Sequence, residues 1–256
     1  MFLGIDHLVI AVADPDTAAA ELARDLGLEA GGGGRHDALG TFNRLVWLGD
    51  AYIELLGVFD RTLAEGSWIG SPTVRTLDAG GGLATWALAT DALDDDVAAL
   101  RTIGSDLGDP TPGERRRPDG AVVRWRLSAP RRLGPEDPPF LIEHDPAGAE
   151  WAPADRAGRA GQRHPIGGPV RLETLELPVD DVNATIQRFA RTAGLRFRPS
   201  LAGGGSRDTV VGAQTARLRA RRTGSEVATI HLVVNGASEA RTVDLLGCRW
   251  VVRATG

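Results

Sequence analysis

The feature that most constrains this chain is a recurring segment: an apolar strand, an acidic cap and an amphipathic helix closed by glycine. It first appears as Gly4-Ile5-Asp6-His7-Leu8-Val9-Ile10-Ala11-Val12, followed by Asp14-Pro15-Asp16. Asp14 can accept from the first free helical N–H groups, and Pro15 suits a first turn that has no N–H partner to lose. Ala18, Leu22 and Leu26 then recur at helical spacing and Gly27 ends the run. The pattern returns at residues 83–103, with Leu93, Val97 and Leu100 as the apolar stripe and Asp91 as the expected cap. It returns again from Val170, with Asp181 before a helix over 182–193 and Gly194 behind it. The spacing of about 80 residues exceeds that of solenoid repeats, so repeated modules that pair with one another are expected.

Each repeat continues in strands. A short segment at 28–30 follows the first helix, residues 42–48 alternate, Gly49-Asp50 signals a tight hairpin, and 51–58 is its partner, so 1–58 reads as βαβββ. In the second unit, 82–146, Asp119-Gly120 marks a turn before a strand in which Val123, Trp125 and Leu127 alternate with Arg124 and Arg126. Pro139-Phe140-Leu141-Ile142-Glu143 closes it, in a frame that matches Ala51-Tyr52-Ile53-Glu54. Residues 147–169 mix Ala, Gly, Pro and Arg without periodicity and read as a linker. Residues 170–256 form a third βαβββ-like module, with strands over 209–221 and 227–235 and a hairpin around Gly247. The fold class is therefore α+β.

At 256 residues the chain can bury a sizeable core, and its net charge of −5 argues against nucleic acid as a partner. All 29 basic residues are arginine. The glycine runs at 31–34, 80–82 and 203–205 are expected as turns before strands, and without lysine no Walker loop is possible. One cysteine and no run approaching about 18 apolar residues give no sign of an oxidising compartment or a membrane span, so a cytoplasmic location is expected.

The candidate site residues each have two readings. His7 is either a ligand or a core histidine with a backbone or carboxylate partner. Glu54, between Ile53 and Leu55, needs a partner because an unpaired buried carboxylate is costly, and metal, His or Arg would serve. Glu143 repeats that position, with pairing to Arg44 or Arg124 as the alternative. His144, one residue on, is expected on the opposite face of the strand and outside any cleft. His36 and Asn43 either line a binding cleft or complete their own loop and sheet. Trp47, Trp86 and Trp125 are core or pocket wall, and Trp47 and Trp125 are taken as substrate-binding. His164 and His231 are read as structural. Aligning Asp14 with Asp181 places Thr174 where His7 stands.

The opening strand, the Gly34-Arg35-His36 to Gly40-Thr41-Phe42-Asn43 stretch, Tyr52-Ile53-Glu54-Leu55 and Pro139 to Glu143 together resemble the vicinal oxygen chelate superfamily, and within it the glyoxalase-like proteins. The resemblance covers residues 1 to 146 and reaches the C-terminal part only through its repeat. It implies two βαβββ modules pairing into a curled open-barrel sheet around a cleft that binds a small oxygenated metabolite. It also implies a divalent metal, Fe, Mn, Zn, Ni or Mg, held by His7, Glu54 and Glu143, with Glu54 or Glu143 as general base. Its fourth ligand position falls near Ala84 or Thr85, which are not ordinary ligands. Lyase, isomerase or dioxygenase chemistry would fit, and the alternative is a metal-free binding or sequestration protein of the resistance type. The third module, without an imidazole at Thr174, is expected to cover the cleft or to add strands to a homodimer.

Overall fold

A computed structural model describes residues 2–236 and 240–255. The first module contains β1 (Gly4–Ala11), α1 (Pro15–Leu26), β2 (Gly32–His36), β3 (Thr41–Leu48) and β4 (Ala51–Val58). Helices α2 (Arg61–Glu65) and α3 (Gly70–Asp78) lead to β5 (Gly82–Ala89), α4 (Leu93–Thr102), β6 (Thr111–Arg116), β7 (Val122–Ser128) and β8 (Phe140–His144). After α5 (Pro153–Ala160) come β9 (Val170–Val179), α6 (Val182–Ala193), β10 (Arg198–Pro199), β11 (Arg207–Val211), β12 (Gln214–Ala220), β13 (Thr229–Asn235), β14 (Arg241–Leu245) and β15 (Cys248–Thr255).

The caps form as the sequence predicts at both ends of α1 and α6. Asp14 accepts from the Thr17 N–H at 2.7 Å and Asp181 from that of Ala184 at 2.9 Å, while Gly27 and Gly194 end their helices at φ 66°. At α4 the expected cap fails. Asp91 makes no capping bond there; Thr90 Oγ1 takes the Ala92 N–H instead, at 3.1 Å.

The first eight strands close into a barrel of order β1-β4-β3-β2-β6-β7-β8-β5, so the curled sheet expected from the resemblance joins its own edges. Closure rests on β2 and β6, neither of which the sequence announces. β2 is the glycine run read as a turn. A Cβ on Gly34 would stand 2.2 Å from the Arg116 carbonyl oxygen, so only glycine lets β6 approach closely enough to pair Arg35 with Arg116.

A bulge shapes the start of β1. Against β5, Ile5 pairs with Leu88 and His7 with Ala87, leaving Asp6 as the extra residue. Alternation is thereby broken: Ile5 and Leu8 face out while Asp6 and His7 both enter the barrel. The outward side chains of β1, β3, β4 and β5 join Leu22 and Leu26 of α1 in one apolar cluster, which continues into Leu175, Phe189, Ile230 and Trp250.

Residues from β9 onward build a separate sheet, β10-β11-β12-β9-β13-β15-β14, against the outer wall of the barrel, not over its interior. Its strand order and directions repeat those of β2-β3-β4-β1-β5-β8-β7, including the parallel pairs β9/β12 and β13/β15. Even the bulge recurs, because Thr174 pairs with His231 and Leu172 with Leu232, skipping Glu173. Glu173-Thr174 is thus the counterpart of Asp6-His7. Among the described residues no strand matches β6, and this sheet stays open. No helix among them is long and apolar enough to cross a membrane.

Candidate functional site

The barrel encloses a tightly filled cavity of about 40 Å³, room for a water-sized group before any side chain moves. Ile69 and Leu133 join Val9, Leu56, Phe140 and Ile142 in an apolar cluster at one end. Leu45, Trp47, Tyr52, Val123 and Trp151 form a second cluster at the other. Between them the walls are largely aromatic, and a small set of polar groups converges.

The bulge at Asp6 organises those polar groups. The Asp6 carboxylate, 2% exposed, lies 2.6 Å from His7 Nδ1 and 3.1 Å from His144 Nε2. Burial alone would raise its pKa, but the neighbouring His144 and His7 outweigh burial and hold it well below the usual carboxylate range. An ionised carboxylate only accepts, so it places a proton on Nδ1 of His7 and on Nε2 of His144. His7 Nε2 then faces Glu54 Oε2 at 3.5 Å, while Glu54 Oε1 accepts from Asn43 Nδ2 at 2.6 Å. The His7 ring is stacked on Tyr52, with centroids 4.5 Å apart, and meets the Phe140 ring edge-on. Burial raises the Tyr52 hydroxyl well above its ordinary pKa, keeping it protonated.

His36 also lines the cavity, with Nδ1 3.0 Å from Thr41 Oγ1, and burial pushes its pKa down to about 4. Trp125 lies edge-on to it at 5.9 Å, and Trp47 meets Tyr52 at 5.0 Å. The barrel therefore brings together His7, Glu54, His36, Asn43, Trp47 and Trp125. Trp86 points the other way, into the apolar cluster beneath the second sheet.

Glu143 does not join them. β8 sends Phe140, Ile142 and His144 inward, so Glu143 faces out, where it accepts from the Leu93 N–H at the start of α4 at 3.4 Å and pairs with Arg126 at 3.4 Å. Neither Arg44 nor Arg124 is its partner. Correspondingly, His144 stands inside the barrel, against the expectation from alternation. Phe140, and not Glu143, therefore shares the frame of Glu54. The inter-module pairs His7/Ala87 and Val9/Thr85 exchange under the twofold that relates the modules, so Thr85 corresponds to His7. Val9 pairs with Glu54 and Ala87 with Phe140, so Phe140 corresponds to Glu54.

A metal held by His7, Glu54 and Glu143 therefore does not fit the residues present. A hydroxyl and a phenyl ring occupy the two symmetry-related places, and among the described residues no group of three or more His, Cys, Asp or Glu side chains is arranged to hold a metal ion. His164 is structural, as expected: its Nε2 lies 2.9 Å from the Trp47 carbonyl, and its Nδ1 accepts from the Glu29 N–H.

Sequence reasoning missed Tyr52, Arg115, Phe140, Glu150 and Trp151 as cavity residues, and Asp6 as the carboxylate behind His7 and His144. Arg115, 4% exposed, reaches the interior from β6, bonding the Gly33 carbonyl and Glu150, each at 2.5 Å. The one signal available in the sequence was an acidic residue in an otherwise apolar strand at Asp6.

A family model described as a glyoxalase-like domain matches residues 5–199. No curated protein sequence matches the chain. A hypothetical protein from Staphylococcus aureus has a similar structure over 98% of this chain and 99% of its own, at 16% identity and a TM-score of 0.80, which is a likeness of fold. A methylmalonyl-CoA epimerase from Streptomyces coelicolor, in complex with 2-nitronate-propionyl-CoA, covers 58% of this chain and 99% of its own at 21% identity and a TM-score of 0.44. The methylmalonyl-CoA epimerase from Mycobacterium tuberculosis covers 57% and 90%, at 26% identity and a TM-score of 0.43.

Proposed function

We propose that this chain, which belongs to the glyoxalase-like domain family of the vicinal oxygen chelate superfamily, binds a small carbonyl compound in its barrel and moves a proton on the carbon beside the carbonyl. The observation that supports this reading is the buried Asp6–His7–Glu54 series facing an aromatic-walled cavity. Buried ionisable groups in a cleft are costly unless a task requires them, which makes them functional candidates.

The chemistry needs only residues of this chain. Glu54 Oε2 takes the C–H proton, and the electron pair of that bond moves onto the carbonyl oxygen. His7, oriented through Nδ1 by Asp6, turns Nε2 toward that oxygen and, in its protonated form, donates to it and stabilises its charge. Return of the proton to carbon completes the turnover, with or without inversion. Asn43 fixes the other carboxylate oxygen of Glu54, so Oε2 is the one left for the substrate. The aromatic walls exclude water and suit an apolar or ring-bearing skeleton.

A second reading, capture of a small molecule without chemistry, is favoured by Thr85 and Phe140 at the symmetry-related positions. One experiment separates the two. Phenylpyruvate and small ketones are incubated with the protein in D2O and deuterium incorporation is followed by NMR, beside a binding titration. Catalysed exchange that is lost in Glu54→Gln supports proton transfer. Tight binding without exchange supports capture, and neither binding nor exchange for any carbonyl compound tested contradicts both.

A further inference from the structure

We infer that the ligand of the barrel carries a carboxylate, which takes the place of Glu150 on Arg115. This inference rests on the barrel cavity being the ligand site and goes beyond it by giving the charge of the ligand and the residue that reads it.

Arg115 projects from β6 into the cavity, and a guanidinium buried this far must keep a counterion. The counterion comes from outside the βαβββ repeat. Glu150 belongs to the strap between β8 and α5, and it reaches the cavity with its backbone at φ 69°, the left-handed region that side chains other than glycine's rarely adopt. Its carboxylate is 10% exposed and meets Arg115 at 2.5 Å, with Arg117 3.8 Å away on its other oxygen. A ligand carboxylate entering here would exchange one anion for another and leave Arg115 paired throughout.

The rest of the strap is held by contacts that water or an aromatic ligand can replace. Trp151 is stacked on His144 with centroids 3.5 Å apart and meets Trp47 edge-on. Arg159 lies over both indoles and donates to the Glu150 carbonyl, yet its Nε and Nη2 are buried without hydrogen-bond partners among the described residues. Releasing the strap would hydrate those two donors, relieve the left-handed residue and free the aromatic surface of Trp47 and His144 for a ring. Outside the cavity the strap is fastened by Arg156 to Asp50 at 3.3 Å, an exposed pair of little strength.

The test compares phenylacetate with phenylacetamide, which differ in charge and little in shape, by calorimetric titration of the full chain. In Glu150→Gln, phenylacetate should bind about tenfold or more tighter than to wild type, the scale of a charge-assisted bond gained. Phenylacetamide should change by less than about threefold. The double variant Arg115→Gln/Glu150→Gln should bind both alike. Equal affinity of acid and amide for Glu150→Gln overturns the inference and leaves the cavity as the ligand site. Failure of both probes in every variant overturns the cavity reading as well. If Glu150→Gln does not fold, wild type decides: phenylacetate at saturation should speed backbone hydrogen exchange over residues 146–161 more than phenylacetamide does, and equal exchange with the two probes contradicts the inference.

Discussion

The barrel and the second sheet share a strand order, a bulge and a capped helix, and differ almost wholly in what their inner faces carry. His7 of β1 corresponds to Thr174 of β9, and Glu54, opposite Val9, corresponds to Arg217, opposite Glu176. In the barrel those positions are enclosed and hold the Asp6–His7–Glu54 series. In the open sheet Thr174 is buried and Arg217 pairs with Asp208 at 2.8 Å, both partly buried, beside a second such pair of Arg219 with Glu176 at 2.6 Å. What the two keep in common is the outward apolar face, because each buries that face against the other in one shared core. The difference shows that packing constrains the outer residues of such a module, whereas its inner face is free to become a site or to carry partly buried ion pairs. Whether β6 closes the sheet decides which.

The largest effect that sharpens this contrast is on chemistry. Glu54→Gln should lower catalysed hydrogen exchange on a carbonyl substrate by about a hundredfold or more, the usual scale for a lost general base. Arg217→Gln at the corresponding place should leave it unchanged. Equal losses in the two variants would break the comparison.

Stability should divide in the same way. Asp6→Ala removes the carboxylate that anchors two imidazoles and should cost about 3 kcal/mol or more in denaturant unfolding, as removal of one partner from a buried charged cluster does. Its counterpart Glu173→Ala breaks only an exposed pair with Arg253 and should cost less than about 1 kcal/mol.

A third contrast lies in pH. His36 is neutral when folded, its pKa depressed from 6.5 to about 4 by burial, so below 6.5 the unfolded chain binds a proton that the folded chain refuses. Stability is therefore full above pH 6.5 and falls as the pH drops toward 4, by about 3 kcal/mol at most. His231 of the second sheet is pushed in the same direction by burial but remains partly exposed. Unfolding curves between pH 4 and 7 should thus lose most of this slope in His36→Asn and little in His231→Asn.

Small too is the effect expected of Glu143→Gln, which weakens a helix-end contact at α4 and should cost no more than about 1 kcal/mol without altering ligand binding. Loss of binding in that variant would return Glu143 to the site.

How far the sequence reveals this molecule follows from which signals are local. The capped helices were legible because Asp14, Asp181, Gly27 and Gly194 act within one turn of chain, and the strand repeats because alternation repeats with them. His7, Glu54, His36 and Asn43 are legible as cavity candidates through the resemblance that their stretches carry, not through parity: His36 reads as a loop residue, and His7 stands beside a bulge. Parity failed at β8, where the match of Glu143 to Glu54 assumed a frame that only pairing with β5 determines. It failed again at Asp6, since a bulge depends on the partner strand. β2 and β6 were hidden because glycine and arginine at these positions serve closure, a contact between distant segments. The strap carrying Glu150 and Trp151 looked like a linker, having the composition of one.

The most direct test of the central claim, that the barrel and not the second sheet holds the ligand site, uses the six tryptophans of the chain. Trp47, Trp68, Trp125 and Trp151 line the cavity, whereas Trp86 and Trp250 lie in the core shared with the second sheet. In fluorine NMR of protein labelled with 5-fluorotryptophan, titration with phenylpyruvate should shift the four cavity resonances and leave the two core resonances in place. Shifts confined to Trp86 and Trp250, or saturable binding that moves none of the four, would contradict it.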